Sequence, residues 1–278
     1  MSIKKLAGQT MWYGMSNIIA RLINAIVSPL LTYLLGDDQA GMIDMGAFSM
    51  LYAAIAVANI IYTYGFETGY FRFANQPGVE EKNLFRTTLS SLLISSVFLS
   101  AALIIWRQPI SDALAIGEFP GIITLMALII GMDTVATIPF ARLRHQGRPK
   151  RYAFIKISGI LIYIGLIFIF LYIIPVIEGN ESDNPISQWI RSQNRVFLIF
   201  LANFVQSLVS LLLLAKEFKG FSLKIDQKLW SAIFKYSAPM ILIGMAGMIN
   251  EVMDRFFLQY WLPMSPADAQ APNGYLLG

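Results

Sequence analysis

Arg21 stands in the middle of "YGMSNIIARLINAIVSPLL", residues 13–31, a stretch otherwise apolar enough to sit in lipid. A charge at the centre of a bilayer costs at least about 2.5 kcal/mol. Thr10, Gly14, Asn17, Arg21, Asn24 and Ser28 recur at spacings of four and three, so they share one face of a helix. A stripe of this kind belongs against a bundle interior or a water-filled cavity. The competing reading is small-residue packing with a snorkelling arginine. Arg21 lies about 18 Å along the helix from Gln9, which makes snorkelling hard. A guanidinium in a cavity is suited to an oxyanion, which it holds by charge-assisted hydrogen bonds.

Ionisable groups recur in other apolar runs. Ser49, Tyr52, Asn59, Thr63, Glu67 and Tyr70 repeat the three-four rhythm, with Glu67 near one end of its run. Glu251, Asp254 and Arg255 sit at i, i+3 and i+4 in "GMINEVMDRFFLQYW", where acid and base can pair and where Gly244 and Gly247 allow close packing or a bend. Asp133 is a lone carboxylate in "IIGMDTVATIPF", followed by Pro139. Asp133, Glu251 and Asp254 are each either a proton or cation site or half of a packing ion pair, and Glu67 is either such a site or an interfacial carboxylate. His145 belongs to "RLRHQGRPKRY", read as a solvated basic loop whose charges would also attract an anionic head group.

The elements that carry these residues are membrane spans. Of the 278 residues, 56% are hydrophobic and 14% charged, with a mean hydropathy of +0.59. A soluble chain carries about 25% charged residues. Seven runs reach the length of about 20 residues that a bilayer requires: 9–35, 47–70, 84–106, 121–141, 153–177, 196–215 and 237–262. An eighth begins at Gly274, which suggests a piece of a longer protein. The first run is too long for a signal-peptide core and is read as an uncleaved span. With a cytoplasmic N-terminus, the outer loops hold only Arg107, Arg191 and Arg195, and nearly all other basic residues fall inside. The net charge of +4 is thus spread over four inner segments and does not form a nucleic-acid surface. With no cysteine and one histidine, no metal site is expected. No enzyme signature and no nucleotide-binding loop occurs, so neither catalysis nor a cofactor is expected.

Three blocks carry a resemblance: "KKLAGQTMWYGMSNIIARLINAIVSPLLTYLL", "RHQGRPKRYAFIKI" and "YSAPMILIGMAGMINEVMDRFFLQYWLP". They are similar to the opening helix, the basic loop after the fourth helix and the seventh helix of bacterial polysaccharide-biosynthesis membrane proteins. Those proteins are lipid-linked oligosaccharide flippases of the multidrug/oligosaccharidyl-lipid/polysaccharide exporter superfamily. The resemblance implies an all-α polytopic fold of twelve to fourteen helices in two lobes around a cationic cavity. Residues 1–215 would then form the first six-helix lobe and 216–278 the start of the second. A weak echo between "KLAGQTMWYG" and "KLWSAIFKYS" falls where a second lobe would begin. The implied activity is translocation of an undecaprenyl-pyrophosphate-linked glycan across the bacterial inner membrane. Arg21 and Arg255 match the cavity arginines that attract the diphosphate, with Asn17 and Asn24 beside Arg21 on its stripe. Glu251, Asp254, Asp133 and Glu67 stay as possible sites for coupling to H⁺ or Na⁺. A cation-coupled multidrug exporter and a polytopic glycan polymerase or ligase are the rival expectations. Arg21 argues against the first and the short outer loop at 178–195 against the second.

Overall fold

The structure is a computed structural model that describes residues 26–36, 38–114, 119–177 and 184–260, with the side chains of 250–260 outside the described part. Among the described residues every regular element is helical. In chain order they are α1 (Ile26–Leu35), α2 (Gln39–Thr63), α3 (Phe66–Ala74), α4 (Glu81–Ile105), α5 (Arg107–Ala113), α6 (Pro120–His145), α7 (Pro149–Phe168), α8 (Ile174–Ile177), α9 (Pro185–Ser192), α10 (Arg195–Leu213) and α11 (Gln227–Tyr260). A π turn, Ile169–Ile173, carries α7 into α8, and a 3₁₀ turn, Ala215–Phe218, follows α10. Among the described residues six helices are long and apolar enough to cross a membrane: α2, α4, α6, α7 with its π extension, α10 and α11. The first expected span is described only in its last part, α1. The expected run at Gly274, with Asn17, Arg21 and Asn24, lies outside the described residues.

Local chemistry places the helix ends. Asp38 caps α2, its Oδ1 accepting from the Gly41 amide at 3.0 Å, and Asn194 caps α10 by accepting from Val196 and Phe197. The α6–α7 turn is a Schellman motif: the Gly147 amide donates to the Arg144 carbonyl and the Arg148 amide to that of Leu143. Gly147 supplies the left-handed φ of 65° and Pro149 opens α7.

The bundle is built around α6, which packs against α2, α3, α4, α5, α7 and α10. Its seam with α4 uses small side chains. Ser100 Oγ donates to the Ala127 carbonyl at 2.8 Å, and a Cβ on Gly131 would come within 2.8 Å of that same oxygen. Small residues let backbones approach, which is how helices gain dispersion contact where lipid removes the hydrophobic drive. The outward faces are apolar: Val97 and Phe98 on α4, Phe154 and Leu161 on α7, and Leu242 and Ile243 on α11 are all more than half exposed.

The second expected span, 47–70, is not one helix. It breaks at Tyr64 and Gly65, whose φ values are 34° and 73°, and restarts as α3. Apolar composition continues through the break, so hydropathy does not see it. The break lets α3 pack under α11. A Cβ on Gly65 would sit 2.8 Å from both the Ser237 carbonyl and Met240 Cβ. Gly244 on α11 makes a similar close approach to Ile60 on α2.

The start of α11 is pinned by one exposed carboxylate. Asp226 Oδ1 accepts from the amides of Leu229 and Lys228, Asn83 donates to its Oδ2 at 3.0 Å, and its own amide donates to Thr87 Oγ1. The Leu229 amide, then Asn83, hold its carboxyl below the ordinary value of 3.8. A depressed carboxyl stabilises the fold above its unfolded pKa and loses that contribution as pH falls through the folded one. Hydrogen exchange in the first turn of α11 should therefore accelerate, after correction for intrinsic rates, as pH falls from the ordinary carboxyl value of 3.8 through the lower folded one. Asp226→Asn should remove that dependence; an unchanged profile in the variant would show that the cap is not the titrating element.

Candidate functional site

The polar stripes of α2, α6, α7 and α10 converge on two cavities inside the bundle, each of about 400 Å³. The first lies toward the end that carries the basic α6–α7 turn. Asn59, Thr63, Glu67, Asp133, Thr137, Arg144, Tyr152, Lys156, Gln206 and Ser210 supply its polar lining, with Phe140 and Ala136 between them. The second lies deeper and is bounded by α1, α2, α6, α7 and α10, with Ser28, Tyr52, Tyr163 and Asn203 as polar walls. Asp133 and Gln206 border both. Asp133 is midway along α6, about 18 Å from His145 at the basic end. It is ringed by helices yet presents its surface to the cavity.

The lining charges are of two kinds. Glu67 on α3 forms a direct ion pair with Arg144 on α6, whose guanidinium also stacks over Phe71 and Tyr152. Asp133 and Lys156 carry opposite charges in the same cavity but form no ion pair within 4 Å. Lys156 Nζ lies over the Phe140 ring at 4.5 Å. In the deeper cavity the hydroxyls of Tyr52 and Tyr163 are 3.1 Å apart, and Asn203 Nδ2 donates to Tyr52. That triad bridges α2, α7 and α10.

The sequence-derived candidates therefore separate. Asp133 faces the cavity. Glu67 also lines it, but on a separate helix and bound to Arg144, instead of on a continuous stripe with Tyr52. Tyr70 is fully buried in the core beneath α11, away from the cavity. Glu251, Asp254 and Arg255 lie on the helical backbone of α11, so their shared face stands, while their side chains are outside the described part. Arg21, Asn17 and Asn24 lie outside the described residues.

The basic loop is not a free cationic patch. Arg142 pairs with Glu81 at 3.1 Å, and Arg148 and Arg151 both clamp Glu217, at 2.7 and 3.0 Å. Glu217 is only 6% exposed. This loop ties α6 and α7 to α4 and to the 3₁₀ turn after α10. His145 is half-buried beside the Tyr70 ring instead of solvated.

Sequence reading missed Lys156, Tyr163, Asn203 and Gln206. The signal was present: Tyr152, Lys156, Gly159 and Tyr163 on α7, and Asn203, Gln206, Ser207 and Ser210 on α10, follow the same three-four rhythm as the first two stripes. Lys156 was counted with the basic loop, yet α7 starts at Pro149 and puts it about 10 Å inside the helix.

An apolar exterior wrapped around a polar, charged interior defines a multi-pass membrane protein. The family described as polysaccharide biosynthesis protein matches residues 6–265, and the chain belongs to that family. No curated protein and no solved structure matches it.

Proposed function

We propose that the protein is a transporter, not an enzyme, and that it moves an undecaprenyl-pyrophosphate-linked oligosaccharide or polysaccharide repeat unit across the bacterial inner membrane by alternating access. Family membership supports the polysaccharide side of this reading. The observation that carries the transport side is the charged cavity inside an apolar bundle, because lipid-embedded charge is retained where a pathway needs it. The N-terminus and the basic α6–α7 turn lie on the cytoplasmic side, as the distribution of Lys and Arg favours. Arg21 and Arg255 receive the diphosphate, Asn17 and Asn24 extend the polar path from Arg21, and the lipid tail stays in the bilayer. Among the acids, Asp133 is the stronger candidate for coupling to H⁺ or Na⁺, because Glu67 is already committed to Arg144. Glu251 and Asp254 remain candidates beside Arg255.

The test is translocation of a fluorescent lipid-linked glycan in proteoliposomes that contain the purified full chain. Arg21→Ala should slow translocation at least about tenfold, the loss of one charge-assisted contact. Wild-type rates in a stably inserted variant would remove the diphosphate role.

A further inference from the structure

The cavity at the basic end holds an acid and a base that face the same space without touching. Both Asp133 and Lys156 present accessible surface there. The neighbouring Arg144 and Glu67 are in direct contact, so that pair is already neutralised. Lys156 lies over the Phe140 ring, lines the cavity with exposed surface and makes no ion pair within 4 Å among the described residues. Asn59 and Gln206 add amide donors around the same space, while the hydroxyls of Thr63 and Thr137 donate to the carbonyls of Asn59 and Asp133.

We propose that this cavity binds a phosphate-class oxyanion at Lys156 and, with it, one proton at Asp133. The inference rests on the transport reading above and names what would load together at its ion-coupling residue. With both groups ionised, acid and base balance across the cavity. An oxyanion approaching Lys156 then meets the Asp133 carboxylate in a chamber walled by low-dielectric helices, where like charges repel strongly. A proton given up by the buffer acid, added to a carboxylate oxygen of Asp133, removes that repulsion and leaves the buffer as its conjugate base. It also leaves the Lys156 ammonium without a counter-charge, which the oxyanion supplies. No other bond is made or broken. Because the two events favour each other, the linkage is reciprocal: protons tighten anion binding and the anion raises proton uptake.

The other groups that face Asp133 do not replace it in this role. Glu67 on α3 and Arg144 on α6 hold each other. Tyr152 and Tyr163 on α7 and Tyr52 on α2 are phenols. The α10 wall offers the uncharged Asn203, Gln206, Ser210 and Ser207, the last lying against the Asp133 carboxylate, and α1 offers Val27 and Ser28 among the described residues. A sodium ion at Asp133 would be repelled by the ammonium of Lys156, which a neutral protonated acid is not.

The experiment is isothermal titration of the full chain in phosphatidylcholine nanodiscs, run in two buffers of different ionisation enthalpy. The soluble probe is P1,P2-dimethyl diphosphate, whose oxyanions stay ionised near neutral pH; the lipid-borne probe is a lipid-linked glycan diphosphate. The expected result is uptake of about one proton per anion bound, with affinity falling as pH rises by up to about tenfold per unit. Lys156→Gln should lose at least tenfold in affinity. Asp133→Asn should bind with no proton uptake and no pH dependence. If only the lipid-borne probe binds with these signatures, the source is the carrier lipid; if both do, free diphosphates share the site. Wild-type binding without proton uptake, sodium-dependent binding in its place, an unaffected Lys156→Gln variant, or no binding of either probe would overturn the proposal. Active translocation in a protein that shows any of these would sink it while leaving the transport reading standing.

Discussion

Asp133→Ala is expected to destabilise the bundle by about 1–3 kcal/mol, and adding Lys156→Ala is expected to restore part of that loss. Asp133 and Lys156 lie in one cavity within the membrane-spanning part of the bundle, so deleting either leaves an uncompensated charge where helices exclude most water. Breaking a fully buried pair costs about 3–5 kcal/mol. Here both groups reach the cavity, and solvation there offsets part of that figure. Removing both leaves no orphan charge. The coupling between the two sites should be on the order of 1–2 kcal/mol, because the groups interact across space without a direct contact. Denaturation of the single and double variants in nanodiscs measures it. Strictly additive losses would show that the two charges do not sense each other.

Gly65→Ala should destabilise the packing of α11 by about 3 kcal/mol or more. Two causes add. The left-handed φ of 73° strains any Cβ-bearing residue, and the new Cβ would lie 2.8 Å from the Ser237 backbone carbonyl and from Met240 Cβ. A carbonyl in the middle of a helix cannot step aside as a side chain can. Gly78 is the control. Its φ is 86°, but nothing lies within 4 Å of its would-be Cβ, so Gly78→Ala should cost only about 1 kcal/mol. Equal losses at the two sites would assign the effect to backbone strain alone and would contradict the close α3–α11 contact.

The spans were legible because a bilayer demands about 20 apolar residues, and that demand is local in sequence. The break at Tyr64–Gly65 was not, because Phe66 and Tyr70 keep the run apolar while the conformation is set by α11, more than 160 residues later. Asp133 stood out as a single carboxylate in an apolar run. Lys156 did not, because the basic residues before it in sequence hid its place inside α7. The ion pairs of Glu67, Glu81 and Glu217 join residues far apart in the chain, and no spacing rule reveals such partners. The lesson concerns charge near spans: a basic residue next to a basic loop still has to be tested against the helical stripe of the span that it precedes.

On the proposed transport reading, this polar interior is a hydrated path open to the end that carries the basic α6–α7 turn. The chain has no cysteine, so single thiols can be introduced into a silent background. A membrane-impermeant maleimide applied to inside-out vesicles should label Thr63→Cys and Gln206→Cys readily, because a thiol reacts only where water lets it ionise. Phe98→Cys, on the lipid-facing side of α4 where Phe98 is 74% exposed, should stay unlabelled. Labelling of the two cavity positions no faster than that of Phe98→Cys would show a dry interior and would contradict the account.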